Sequence, residues 1–137
     1  MSARQLKVKS VPRESYKVYH TRAIQLYETM QHTVTTRRWS ALGVNAVHCA
    51  ISLNDALTVF NLGQRSAGED HHQAAELLFR LSLEGAATQA KNFGRIIAKK
   101  TAVEYEERDF RENEALELVK QVERFFAWGT GKLPKTG

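Results

Sequence analysis

Between Trp39 and Asn61 the chain reads Trp-Ser-Ala-Leu-Gly-Val-Asn-Ala-Val-His-Cys-Ala-Ile-Ser-Leu-Asn-Asp-Ala-Leu-Thr-Val-Phe-Asn. Leu42, Ala46, Cys49, Leu53, Ala56 and Phe60 recur at spacings of three and four, the period of a helix and not the alternation of a strand. Val44, Val47 and Ile51 widen that stripe, which predicts a helix buried on more than one side. A second pattern lies on it: Asn45, His48, Ser52 and Asp55 form a polar row on an otherwise apolar segment. Such a row suits a satisfied hydrogen-bond network facing another helix, a dimer seam or a ligand pocket.

The same period extends in both directions. A first helix opens near Pro12, tolerated in a first turn because its missing N–H has no helical partner there. Tyr16, Tyr19, Ala23, Leu26 and Met30 are its apolar stripe. β-Branched Thr33 to Thr36 weaken it, and Arg37-Arg38 mark the turn. Gly63 to Gly68 is the clearest loop. Asp70 followed by Gln73 reads as a capping box for a third helix with Ala74, Leu77, Leu78 and Leu81 inward. Gly85 breaks that helix, and its continuation places Ala86, Ala90, Phe93 and Ile97 inward. Glu104 to Arg111 is a polar connection. Asp109 with Glu112 is expected to cap the last helix, which buries Ala115, Leu118 or Val119, Val122, Phe125 and Phe126 and ends at Gly129. The prediction is an all-α fold: a four- to five-helix up-down antiparallel bundle with no sheet.

A chain of 137 residues is one domain's worth. The expected organisation is a loose basic arm over residues 1–11 (Arg4, Lys7, Lys9), a helical domain over 12–129 and a flexible tail over 130–137. Cys49 is the only cysteine, so no intrachain disulfide forms, which suits a reducing compartment. No apolar run reaches the roughly 18 residues of a membrane span, and the polar start is unlike a secretory signal. A cytoplasmic protein is therefore expected. The closing Leu133-Pro134-Lys135-Thr136-Gly137 resembles a sortase recognition pentapeptide, without the apolar segment and basic tail that accompany it in cell-wall proteins.

On the residues Asn45-Ala46-Val47-His48-Cys49-Ala50, His71 or His72 after the central loop, Lys100 before Glu104-Tyr105, and an acidic helix closing on Phe125-Phe126, the chain resembles the HEPN family. The resemblance covers about residues 15 to 128. It implies a small helical bundle, often paired as a homodimer and found beside nucleotidyltransferases or in RNA-cleaving toxins, so a nucleotidyltransferase-type protein is an implied partner. RNA-cleaving members carry an Arg-x4-6-His signature, act without metal, and use His for acid–base chemistry and Arg to steady the phosphate. Arg65 with His71 or His72 meets that spacing, although the signature usually lies toward the C-terminal helices and Ala46 stands where family members often have Arg.

Two constellations remain. Arg65 can grip a phosphate bidentately, and a nearby His moves protons near neutrality. Adjacent Glu69 and Asp70 would favour the acid form of that His. The bland alternative is a solvated loop. Lys91, Arg95 and Lys99 recur every four residues, with Lys100 beside them, and no acid interrupts from Gly85 to Val103. With a net charge of +5 this ridge suits an anion such as RNA or a nucleotide; an ordinary solvated face is the alternative. His71 and His72 diverge by about 100° on a helix and supply no joint metal site, and His20 and His32 read as surface residues. Neither a metal nor a cofactor is expected. Three readings stay open: a dimeric binding domain using Asn45, His48 and the basic ridge; an endoribonuclease using Arg65 with His71 or His72; and a structural protein whose partner is another helical surface.

Overall fold

A computed structural model describes residues 6–68 and 71–135. It is predominantly helical, with α1 (Tyr16–Thr35), α2 (Trp39–Leu62), α3 (His71–Phe79), α4 (Ala86–Ala98), α5 (Lys100–Glu104) and α6 (Glu112–Gly131). Short α5 continues α4 across Lys99, so the domain is a four- to five-helix bundle, as the periodicity predicts.

The predicted absence of a sheet does not hold. Strand β1 (Val8–Ser10) pairs antiparallel with β2 (Gln64–Ser66), placing Lys9 opposite Arg65. The ribbon is extended by Val11 N–H to the Gly63 carbonyl (2.9 Å) and Ala67 N–H to the Lys7 carbonyl (3.0 Å). Three-residue strands carry no apolar alternation, so pattern reading cannot register them; their pairing runs through backbone atoms. The expected loose arm is thus structured from Val8 onward, and the central loop is its partner strand. Residues 1–5, including Arg4, lie outside the described residues. So do Asp70, half of the expected capping box, and Glu69; Gln73 instead accepts the Lys7 N–H through Oε1 (3.2 Å).

Helix α2 is the axis of the molecule. Leu42, Ala46, Cys49, Leu53 and Ala56 are fully buried, together with Val47, Ala50, Leu57 and Val59. Helix α1 packs along one side and α6 along another, with α3 to α5 closing the rest. The breadth of its apolar face is therefore met within one chain. A three-residue turn joins α1 to α2, with Arg37 in the left-handed region (φ 59°) and Arg38 N–H bonded to the Thr33 carbonyl. Gly63, at φ 64°, ends α2, and its N–H closes on the Val59 carbonyl at 2.8 Å; only glycine enters that region without strain. The chain leaves directly into β2, which fixes where Arg65 emerges.

Smaller expectations are corrected. His20 is buried, with Nε2 3.4 Å from Thr130 Oγ1, and burial pulls its pKa down. Helix α6 is capped through Glu114, whose carboxylate accepts the Arg111 N–H at 3.2 Å, and not through Asp109 with Glu112. It runs on to Gly131, and Leu133 is buried, so residues 130–133 belong to the packed domain and not to the flexible tail expected from residue 130. Thr136 and Gly137 of the closing pentapeptide lie outside the described residues.

Candidate functional site

The ribbon does more than tie down the N-terminal segment. By pairing Lys9 with Arg65 it places two cations against α1, where Tyr19 and Arg22 lie one turn apart. The guanidinium of Arg65 lies 5.7 Å from the Tyr19 ring centroid, and that of Arg22 5.6 Å from the same centroid. A groove of about 370 Å³ follows, lined by Lys9, Val11, Ser15, Val18, Tyr19, Arg22 and Arg65. No acid lines it. Three cations around an aromatic ring are the equipment with which proteins hold single-stranded nucleic acid: charge follows the phosphates and the ring accepts a base face.

On its other side Arg65 meets α2. Its Nη1 is 3.6 Å from Oδ2 of Asp55, close enough for an ion pair and too long for a hydrogen bond. Burial pushes the Asp55 carboxyl up to about 6, against the opposing pull of Arg65 and Arg22. Asp55, Arg65, Ser66 and His71 then share a cavity of about 170 Å³ whose apolar walls include Ile51 and Phe93. On two of these lining residues, Arg65 Nε and Ser66 Oγ are buried without a protein hydrogen-bond partner. Buried polar groups normally find partners. Two such atoms on one cavity, beside a carboxylate held by a long ion pair, mark a place with bonding capacity left over.

Of the paired Arg and His expected from sequence, Arg65 and His71 line this one cavity; exposed His72 does not. The polar row on α2 is divided between two partners. Asp55 belongs to the cavity. His48 is 2.8 Å from Glu104 across the α2–α5 contact, and Glu104 also pairs with Lys100 at 3.6 Å. Ser52 is buried and Asn45 half-buried.

The basic ridge is also divided. Lys91 and Arg95 are exposed on α4, whereas Lys99 is half-buried at the α4–α5 junction. Lys100 is engaged by Glu104 and lies 5.7 Å from the Tyr105 ring centroid. Arg95 faces a second groove of about 370 Å³ with Lys120 and Arg124 of α6, into which Glu117 brings an acid. The run without acids is a property of α4 alone; its neighbour supplies one.

Sequence reading missed Lys9, Tyr19, Arg22 and Ser66 as site residues, and placed Asp55 only in the polar row. A carboxylate on an apolar stripe was the available signal. Which cation would meet it depended on an unseen ribbon. Among the described residues no group of three or more His, Cys, Asp or Glu side chains could hold a metal ion, and no helix is long and apolar enough to cross a membrane. A scan against protein-family models, a search of curated proteins and a search of solved structures each find no match.

Proposed function

We propose that this chain is a HEPN-like helical domain that binds RNA, with its phosphates in the groove of Lys9, Arg22 and Arg65 and a base against Tyr19. The observation that carries the reading is the position of Arg65, shared between an acid-free aromatic groove and a cavity with unpartnered polar atoms. Phosphate contacts supply affinity without sequence preference and release counterions. The test is binding of a fluorescent single-stranded oligouridine across a salt series. Wild-type affinity should fall steeply with salt, and Arg22→Ala with Arg65→Ala should weaken binding by about tenfold or more. No binding at low ionic strength sinks the reading.

The domain is proposed to act as a homodimer. Its own helices already cover most of α2, so the support comes from apolar side chains left outside, among them Val44 on α2 itself, Val18, Phe79 and Leu116. Sedimentation showing only a monomer at high micromolar concentration would remove this part.

A second reading, favoured by His71 lining the same cavity as Arg65, is a metal-independent endoribonuclease. There His71 would move the protons and Arg65 would steady the phosphate. Asp55 weighs against it, because a carboxylate beside the guanidinium opposes the negative charge that builds up in phosphodiester cleavage.

A further inference from the structure

We propose that the cavity of Asp55, Arg65 and Ser66 is a base-reading pocket for guanine, and that the RNA held in the adjoining groove is recognised by a guanine turned into it. The inference rests on the RNA-binding reading of the same site and adds to it a base identity. It begins from volume. About 170 Å³ is the share of about six waters at roughly 30 Å³ each, room for one ring system and not for a nucleotide with its phosphates. The walls are those of a base site: Ile51 and Phe93 are apolar, and Asp55, Arg65 and Ser66 bring polar groups to them.

The order of those polar groups selects the base. A donor, Arg65, stands directly beside a carboxylate, Asp55, with Nη1 3.6 Å from Oδ2. The Watson–Crick edge of guanine presents, in sequence, the O6 acceptor, the N1–H donor and an N2–H donor. Arg65 can donate to O6 while the two carboxylate oxygens accept N1–H and N2–H. Arg65 Nε and Ser66 Oγ, on two of the residues that line the cavity, are buried without a hydrogen-bond partner. The other bases fit worse. Adenine and cytosine each set one amino donor next to a ring-nitrogen acceptor, so the second carboxylate oxygen would meet a lone pair. Uracil has a single N–H between two carbonyls, with the same result. Unmatched polar groups in a buried site are what separates one base from another.

Geometry also joins the two parts. Arg65 lines both the cavity and the groove, so a base seated in the cavity leaves its own phosphate next to Lys9 and Arg22.

The experiment is calorimetric titration of the full chain with the dinucleoside monophosphates GpU, IpU, ApU, CpU and UpU at about pH 8, where the Asp55 carboxyl is ionised and each ligand carries one diester charge. GpU should bind about tenfold tighter than ApU, CpU and UpU. IpU lacks only the N2 amino group, so it should lose about tenfold relative to GpU with no change to the protein. Asp55→Asn should abolish the preference for GpU. Comparable binding of all five ligands, equal binding of GpU and IpU, or a preference that persists in Asp55→Asn each overturns the proposal. Salt-dependent oligouridine binding tells the two readings apart. If it occurs while the dinucleotides are not distinguished, the groove stands and the guanine pocket fails; selective GpU binding without it upholds the pocket alone.

Discussion

Arg65 Nη1 lies 3.6 Å from Asp55 Oδ2, yet the Asp55 carboxyl is held above its ordinary range, at about 6 instead of 3.8. Desolvation is the larger effect and the cations only reduce it. An acid with a raised pKa binds its proton more tightly folded than unfolded. Asp55 therefore withdraws stability as pH rises from about 4 to about 6, by an amount on the order of 3 kcal/mol, and the effect is flat above that window. Asp55→Asn has no proton to release. Its stability relative to wild type, from urea unfolding at several pH values, should climb through the same interval. A difference that falls with rising pH would mean that the pair with Arg65 outweighs burial.

The two basic grooves should separate in a salt series. Each phosphate contact removed from single-stranded nucleic acid lowers the slope of log affinity against log salt by about 0.7. Lys9→Ala with Arg22→Ala should reduce it by about 1.4, whereas Lys91→Ala with Arg95→Ala should leave most of it. The reverse result would move the RNA to the α4–α6 groove, where Glu117 stands among the cations.

Gly85 is the fold's most constrained turn. It sits at φ 85°, and a Cβ there would lie 2.7 Å from Trp128 Nε1. That nitrogen donates to the Glu84 carbonyl at 2.9 Å, so the indole cannot retreat without breaking a bond. Gly85→Ala should lower unfolding free energy by about 1–3 kcal/mol through both strain and contact. An unchanged denaturation midpoint would mean the indole repacks freely.

The helices were legible because burial writes itself as period. Leu42, Ala46, Cys49, Leu53 and Ala56 all fall inward as read, whereas Gly85 does not break the third helix, which already ends at Phe79, and instead stands at the N-cap of α4. The ribbon was not legible, because Val8–Ser10 and Gln64–Ser66 are bound through backbone atoms that every sequence shares. That omission hid most of the site: without Lys9 opposite Arg65, nothing relates the central loop to Tyr19 and Arg22. Spacing did bring forward Arg65 with a following histidine. It could not say which one, since adjacent residues on a helix diverge by about 100° and only the fold decides which faces the cavity.

That choice makes cleavage a sharp question. His71 lines the cavity with Arg65 while His72 is exposed, so any hydrolysis of RNA by this chain should fall in His71→Ala and Arg65→Ala and persist in His72→Ala. Its rate should also survive EDTA, since no metal enters the scheme, and should vary with pH near the ordinary histidine range. The expected outcome is nonetheless binding without cleavage. A scissile phosphate in the cavity would have to sit against Asp55, whereas the groove on the far side of Arg65 offers Lys9 and Arg22 and, among the described residues, no acid. Oligonucleotides incubated with purified protein should therefore remain intact on denaturing gels while anisotropy shows them bound. Chelator-resistant cleavage lost in His71→Ala alone among the two histidine variants would reverse the order of the two readings, and would place the phosphate in the cavity instead of the base.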